Sequence, residues 1–320
     1  MREEMPNDPQ WTNVAVVGAG TIGLSWAALF AAHGRVVRIT DPREDLEQLV
    51  ADAIPSLSAG IPDSDPEDLR SRVRPVHDLA EAVADADLVQ ENGPERLESK
   101  QDLFAEIARL APDEAVLASS SSGIVASEIA AKLSEQDASR VLIAHPFNPP
   151  HVVPLVEIVP GERTAEPVIT RAIEFYRTLG KTPVREHKEV SGFVANRLQS
   201  ALMQEAISLV LDGVVSADEL DTVMKSSLGG RYATVGPFES FHLGGGPGGI
   251  RHMMQHLGHG MARRWGDLGH PALTSGAIEE IAGQTESAYG SGPEAYRARS
   301  QRRDRKHLAL RAALHDESAR

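Results

Sequence analysis

From Asn13 onward, short apolar runs alternate with stretches of helical periodicity. The runs at 13–18 (NVAVVG), 35–40 (RVVRIT), 86–90 (ADLVQ), 114–119 (EAVLAS), 141–145 (VLIAH), 154–158 (PLVEI) and 182–185 (TPVR) have strand length. Several are almost continuously apolar, as strands covered on both faces must be. This alternation predicts an α/β fold, a Rossmann-like doubly wound, mostly parallel sheet. Past Glu189 the pattern changes. The stretch 194–212 (VANRLQSALMQEAISLVLD) is apolar at helical spacing almost all round, which predicts a buried helix. Gly213 suits its stop, and Ser216 with Glu219 three residues on suits a capping box opening the next helix. No strand signal follows. The chain thus divides into a tail (1–12), an α/β domain (13–189) and an all-helical domain (190–320). A glycine-rich segment at 242–250 (HLGGGPGGI) reads as a flexible connection between helices.

Composition narrows the function. The 320 residues include no cysteine, which removes disulfide scaffolds, thiolate metal sites and thiol nucleophiles and fits a reducing cytosol. The net charge of −14 is lopsided: residues 1–160 hold 27 acids against 12 Lys and Arg, the remainder 19 against 20. A nucleic-acid partner needs a basic footprint that the N-terminal half lacks. The basic stretch Arg297–Arg311 reads as a solvated or subunit-facing helix. No apolar run approaches the ~18 residues of a membrane span, and the acidic N-terminus lacks the apolar core of an export signal. A cytoplasmic protein with no membrane partner is expected.

Gly18-Ala19-Gly20-Thr21-Ile22-Gly23 follows the first strand and opens a helical stretch. In that context GxGxxG is a dinucleotide fingerprint: Gly18 for the tight turn, Gly20 for approach of the pyrophosphate, Gly23 for helix packing on the sheet. The helix N-terminus then faces the pyrophosphate. Asp41, eighteen residues past Gly23, can accept hydrogen bonds from the adenosine ribose. Its charge opposes a 2′-phosphate, so NAD is expected over NADP, although Arg43 is a cation that could accommodate one. No Gly-Lys-Ser/Thr follows, so a Walker loop is excluded.

His145 ends a buried apolar run, and Glu157 lies twelve residues on inside PLVEIV. A carboxylate among Leu155, Val156, Ile158 and Val159 is costly unless paired, and an imidazole is an economical partner. Such a pair suits alcohol oxidation: the imidazole takes the hydroxyl proton, and the carboxylate fixes its tautomer and stabilises the imidazolium. Either residue alone would read as structural; together, behind a dinucleotide fingerprint, they read as catalytic.

HPFNPP with PLVEIV downstream, SSSSG upstream and GFVANRL beyond resemble the 3-hydroxyacyl-CoA dehydrogenase family. HPFNPPHVVPLVEIVPG, LGGRYATVGPFESFHL and RRDRKHLALRAAL resemble its lambda-crystallin, L-gulonate 3-dehydrogenase and L-carnitine dehydrogenase branch. The resemblance spans residues 13–315. It implies an NAD-binding Rossmann domain, a dimerising helical domain and an active site between them. It makes His145 the base and Glu157 its partner, with Ser122 bonding the substrate oxygen and Asn196 orienting substrate. It sets Glu95 and Lys100 at the nicotinamide half of NAD. The family usually has Asn in the position of Ser120.

The substrate implied is a small polar 3-hydroxy acid. Residues 1–99 contain no lysine to meet CoA phosphates, and the segment after Asp41 is short and interrupted by Pro55, Pro62 and Pro66. Arg70, Arg72 and Arg74 could substitute for lysine, which keeps a 3-hydroxyacyl-CoA (or carrier-bound acyl) dehydrogenase as the second reading. Arg231 is the candidate cation for a free carboxylate, by resemblance to the free-acid branch. A crystallin-like NAD-binding protein without turnover is the third reading, opposed by the intact Ser122, His145, Glu157 and Asn196 set. His252, His256 and His259 lack an HExxH motif and a suitably spaced carboxylate, so they read as a helix surface and no metal is expected.

Overall fold

The computed structural model describes residues 11–318, so positions 1–10 of the expected tail lie outside the described residues. Trp11, placed in that tail, is buried, its ring centroid 4.9 Å from that of Phe175. Two compact units make up the chain, the first ending at Asn196 and the second beginning at Arg197.

The first unit holds one eight-stranded sheet: β1 (Asn13–Val17), β2 (Val36–Thr40), β3 (Val73–Pro75), β4 (Leu88–Glu91), β5 (Val116–Ser119), β6 (Val141–Pro146), β7 (Leu155–Pro160) and β8 (Thr182–Arg185). Their order is β3-β2-β1-β4-β5-β6-β7-β8. Neighbours run parallel except β6 and β7, which pair antiparallel with His145 opposite Glu157. The doubly wound, mostly parallel sheet is therefore present. β3 went unforeseen because Val73-Arg74-Pro75 is too short and too polar to show a period. Helices α1 (Thr21–Ala32), α2 (Leu46–Leu57), α3 (Pro66–Arg72), α4 (Leu79–Val83), α5 (Leu97–Leu110), α6 (Ala126–Ile129), α7 (Glu135–Ala138) and α8 (Glu166–Thr178) connect the strands. Two apolar clusters form the core. One joins Trp26 and Phe30 of α1 to Phe175 and Tyr176 of α8; the other gathers Val83, Phe104, Ile107 and Ile143.

Helix α9 (Phe193–Leu211) leads into the second unit, followed by α10 (Ala217–Ser226), α11 (Leu228–Thr234), α12 (Pro237–Gly244), α13 (Gly249–Asp267), α14 (Ser275–Tyr289) and α15 (Gly292–Ser318). The Ser216/Glu219 capping box is formed, and Gly213 ends α9 with φ +67°. Within this unit α12 packs on α13, and α10 on α11 and α14. The segment 242–250 is not a loose connection: a single 3₁₀ turn, Gly246–Gly248, separates α12 from α13. The expectation of a buried α9 needs correction. Leu198 is 64% exposed, and Val194, Leu202 and Met203 are exposed as well. A helix apolar on every side needs cover on every side, and one chain covers only part of it.

Candidate active site

The carboxyl ends of β1, β4, β5 and β6 meet at one edge of the sheet, where ligands bind in open α/β folds. Gly18 N–H donates to Thr40 O, Asn92 N–H to Val17 O and Ser120 N–H to Glu91 O, which ties these ends together. Gly18 has φ +101°, and a Cβ there would lie 2.8 Å from Asn92 O. A Cβ on Gly23 would lie 1.9 Å from Gly18 O, so α1 approaches the turn as closely as a backbone allows. At Gly20 a Cβ would meet nothing within 4 Å, leaving open space where the pyrophosphate belongs. No side chain caps α1, so first-turn N–H groups including those of Thr21 and Ile22 remain for an anion. Asp41 sits beside them, its Oδ2 accepting Ala19 N–H at 2.8 Å. Arg43 is exposed and bonds Asp45, Nε to Oδ1 2.5 Å. The turn brings Gly18, Gly20, Thr21, Ile22, Gly23 and Asp41 together and leaves room for a dinucleotide.

The serine run is not a solvated loop, since each hydroxyl has its own partner. Ser119 Oγ donates to Glu91 Oε2 at 2.5 Å. Ser120 Oγ donates to Asn92 Oδ1 at 2.7 Å and accepts from Gln90 Nε2 at 2.9 Å and Trp26 Nε1 at 3.2 Å. Ser121 Oγ donates to Glu95 Oε1 at 2.6 Å. Ser122 Oγ lies 3.2 Å from His145 Nε2. Glu95 shapes this loop, its Oε1 also accepting the N–H groups of Ser122 (3.1 Å) and Gly123 (2.9 Å). Partial burial raises the Glu95 pKa, but the Ser121 hydroxyl, the Gly123 amide and Lys100 outweigh it and hold the carboxyl below its ordinary value.

On the other side of the imidazole, His145 Nδ1 lies 2.8 Å from Glu157 Oε2, both residues buried. Phe147 and Phe193 border the ring, with centroids at 5.7 and 5.3 Å. Glu157 Oε1 accepts Ala195 N–H at 2.7 Å. Burial works against the Glu157 charge, yet the His145 hydrogen bond, the Ala195 amide and a hydrogen bond with Glu186 together hold its pKa below the ordinary carboxylate value. Ser122, His145 and Glu157 thus form a continuous relay: a polar mouth, an imidazole and a buried anion. Asn196 joins them, its Nδ2 donating to Ser122 O at 3.3 Å. It lies within the first turn of α9 and is not a cap residue.

Lys100 lies beneath the loop that carries Glu95. It is 2% exposed, with Nζ bonding both Glu91 oxygens at 2.8 and 2.9 Å and lying 3.7 Å from Glu95. Removing one partner of such a pair strands a buried charge, at a cost of ~3–5 kcal/mol. Glu91, Glu186 and Phe193 escaped the sequence reading. A carboxylate ending a buried strand, as Glu91 does, was the available signal. Glu186 stood hidden in the charged run Arg185–Glu189. In the second unit Arg231 lies on α11 and is exposed. His252 and His256 stack on α13, centroids 4.0 Å apart, and among the described residues no three His, Asp or Glu side chains converge as a metal site would require.

The family described as "3-hydroxyacyl-CoA dehydrogenase, NAD binding domain" matches residues 13–190, and "3-hydroxyacyl-CoA dehydrogenase, C-terminal domain" matches residues 192–281. A 3-hydroxyacyl-CoA dehydrogenase of Gibberella moniliformis is 46% identical over 259 residues, covering 79% of each chain. An L-carnitine dehydrogenase of Nocardiopsis dassonvillei is 40% identical over 306 residues, covering 95% of this chain and 92% of its own. Among solved structures, an NAD⁺-dependent 5-formyl-3-hydroxy-2-methylpyridine 4-carboxylic acid 5-dehydrogenase superposes with a TM-score of 0.74 at 28% identity, covering 95% of this chain and 98% of its own.

Proposed function

The chain belongs to the 3-hydroxyacyl-CoA dehydrogenase family, and from that premise we propose that its substrate is a small, free, polar 3-hydroxy acid of the L-carnitine or L-gulonate kind. It is an NAD-dependent oxidoreductase acting on a CH–OH group. The observation that carries the mechanism is His145, with Nδ1 on buried Glu157 and Nε2 beside Ser122.

In oxidation, the substrate hydroxyl binds between Ser122 Oγ and His145 Nε2. His145 takes the hydroxyl proton at Nε2 while Nδ1–H donates to Glu157, whose charge stabilises the imidazolium. Loss of that proton and of the carbinol hydride turns the C–O bond into a carbonyl. NAD, when bound, supplies the hydride acceptor. Gly18, Gly20, Thr21, Ile22, Gly23 and Asp41 would hold its pyrophosphate and adenosine ribose, and Glu95 and the loop it shapes would border the nicotinamide half. In that scheme Lys100 acts from below, bracing the Glu91 and Glu95 carboxylates. Ser122 and Asn196 orient the substrate oxygen, and Phe147 and Phe193 limit water at the imidazole.

Three features favour a free acid over a CoA ester. The L-carnitine dehydrogenase similarity runs almost end to end. Arg72 and Arg74, candidates to meet CoA phosphates, are tied to Asp68 and Glu81. The N-terminal half is already strongly acidic, which opposes a polyanion. We assign the substrate carboxylate to Arg231, whose guanidinium can bind it bidentately. The apolar side chains exposed on the second unit suit a homodimer through the helices. A cysteine-free chain suits the cytoplasm, and among the described residues no helix is long and apolar enough to cross a membrane.

A screen of NAD⁺ reduction over L-carnitine, L-gulonate, 3-hydroxybutyrate and 3-hydroxybutyryl-CoA tests the proposal. A free acid gives the highest kcat/KM. A preference for the CoA ester overturns the substrate assignment and supports the acyl-CoA reading.

A further inference from the structure

Behind the His145–Glu157 pair lies a second buried carboxyl that the relay does not explain. Glu186 follows β8 directly, its N–H donating to Ile158 O at 2.9 Å, and the residue is 6% exposed. Its Oε1 accepts Val194 N–H at 2.8 Å, while the adjacent amide, Ala195 N–H, serves Glu157 at 2.7 Å. The chain enters α9 through two left-handed residues, Gly192 at φ +78° and Phe193 at φ +49°. For phenylalanine that conformation costs ~1–3 kcal/mol and persists only where the surroundings impose it. Here it delivers successive amides to two neighbouring carboxyls, with the Phe193 ring buried against His145.

Glu157 pairs in register with Val184, and Glu186, two residues on and bonded to Ile158 O, falls on the same face of the sheet beside it. Two neighbouring buried carboxylates repel strongly when both are ionised, so one keeps a proton. Glu157 has the surroundings that favour charge: His145 and the Ala195 amide. The titratable groups facing Glu186 are Glu157 on β7 and His145 on β6; its neighbour Arg185 turns away to Glu166. Burial pushes the Glu186 pKa up, the Val194 amide opposes this, and Glu157 adds to the rise.

We propose that Glu186 is a positioning residue: it stays protonated and donates a hydrogen bond to Glu157, holding the carboxylate that orients His145. The effect on turnover rests on the dehydrogenase reading; the proton on Glu186 does not. Glu157 then has each oxygen held by a fixed donor, and a third donor between them resists its rotation. A neutral neighbour also spares the relay a second negative charge, which would hold the imidazolium too tightly to release its proton.

Infrared difference spectra of wild type against Glu186→Gln test the proton without any substrate. At neutral pH the wild type shows a protonated-carboxyl C=O stretch that the variant lacks. Absence of that band overturns the proposal. In turnover, Glu186→Ala lowers kcat about tenfold with KM for NAD⁺ unchanged. Glu186→Gln, whose amide can donate to Glu157 and accept from Val194, recovers most of that loss and keeps the acid limb of the pH–rate profile in place. Wild-type turnover in Glu186→Ala, or an acid limb displaced in Glu186→Gln, contradicts the role. If Glu186→Ala does not fold, the infrared band and the glutamine variant still decide.

Discussion

The sheet unit and the helical unit treat their apolar residues in opposite ways. Up to Asn196, large side chains such as Trp26, Phe30, Phe104 and Phe175 are buried in two clusters that sandwich the sheet. From Arg197 on, the buried apolar side chains among the described residues are Ala206 and Val210, while Phe238 (84% exposed), Trp265, Leu257 and Ile278 stand in solvent. A sheet covered by helices on both faces closes its own core within one chain. Helices that pack only in pairs leave part of their apolar surface uncovered. The residues of the relay and the nucleotide turn lie in the self-contained unit, where pre-organisation needs rigid surroundings. The helical unit leaves much of its apolar surface exposed.

The largest effect expected from breaking this division is chemical. His145→Gln lowers kcat/KM about 10³-fold, within the range for loss of a general base, while NADH binding, read by fluorescence titration, persists. Retention of turnover would remove the relay from the chemistry.

A paired truncation sharpens the contrast in packing. Trp26→Ala removes a fully buried ring stacked on Phe30 at 5.3 Å and costs ~3–5 kcal/mol in denaturant unfolding. Phe238→Ala changes unfolding of the dissociated chain by less than ~0.5 kcal/mol. Its effect is to weaken self-association, read by sedimentation across a concentration series. Equal losses at the two sites would mean that the units do not differ in this way.

The smallest effect is a pH dependence. Glu157 has a pKa below its ordinary value in the folded chain, because the His145 and Ala195 hydrogen bonds outweigh the burial that raises it. Its contribution to stability is therefore complete above the ordinary carboxylate pKa and lost as pH falls through the lowered one. Glu186 has the opposite sign: its raised pKa gives stability at low pH that is lost as pH rises through the raised value. Melting temperatures across pH show a shallower decline with falling pH in Glu157→Gln and, above the ordinary carboxylate pKa, a shallower decline with rising pH in Glu186→Gln. Curves parallel to wild type would mean the two carboxyls titrate normally.

Much of the sheet unit was legible along the chain. Strand length, with near-continuous apolar character in several, marked seven of the eight strands, and GAGTIG in its strand–helix context marked the nucleotide turn. His145 and Glu157 could be paired because β6 and β7 are joined by a short connection and burying a lone Glu is costly. The serine run was legible as a site only in part. Ser122 was singled out, but the four separate partners of Ser119 to Ser122 were not, since each comes from a different strand end or loop. For Lys100 the resemblance gave only a place at the nicotinamide half, and its burial against Glu91 depends on how α5 lies over β4.

Sequence alone therefore determined the fold class, the glycine turn and the imidazole with its carboxylate, because periodicity, backbone freedom and the cost of buried charge act over short stretches. Tertiary structure decided which charges are buried and with whom. Glu186 reads as one more solvated acid in a charged run until α9 turns its amides onto it. The helix 194–212 reads as core until the fold leaves its apolar faces uncovered. Charge state and exposure follow from what surrounds a side chain in space, and neighbours brought from other elements supply most of those surroundings.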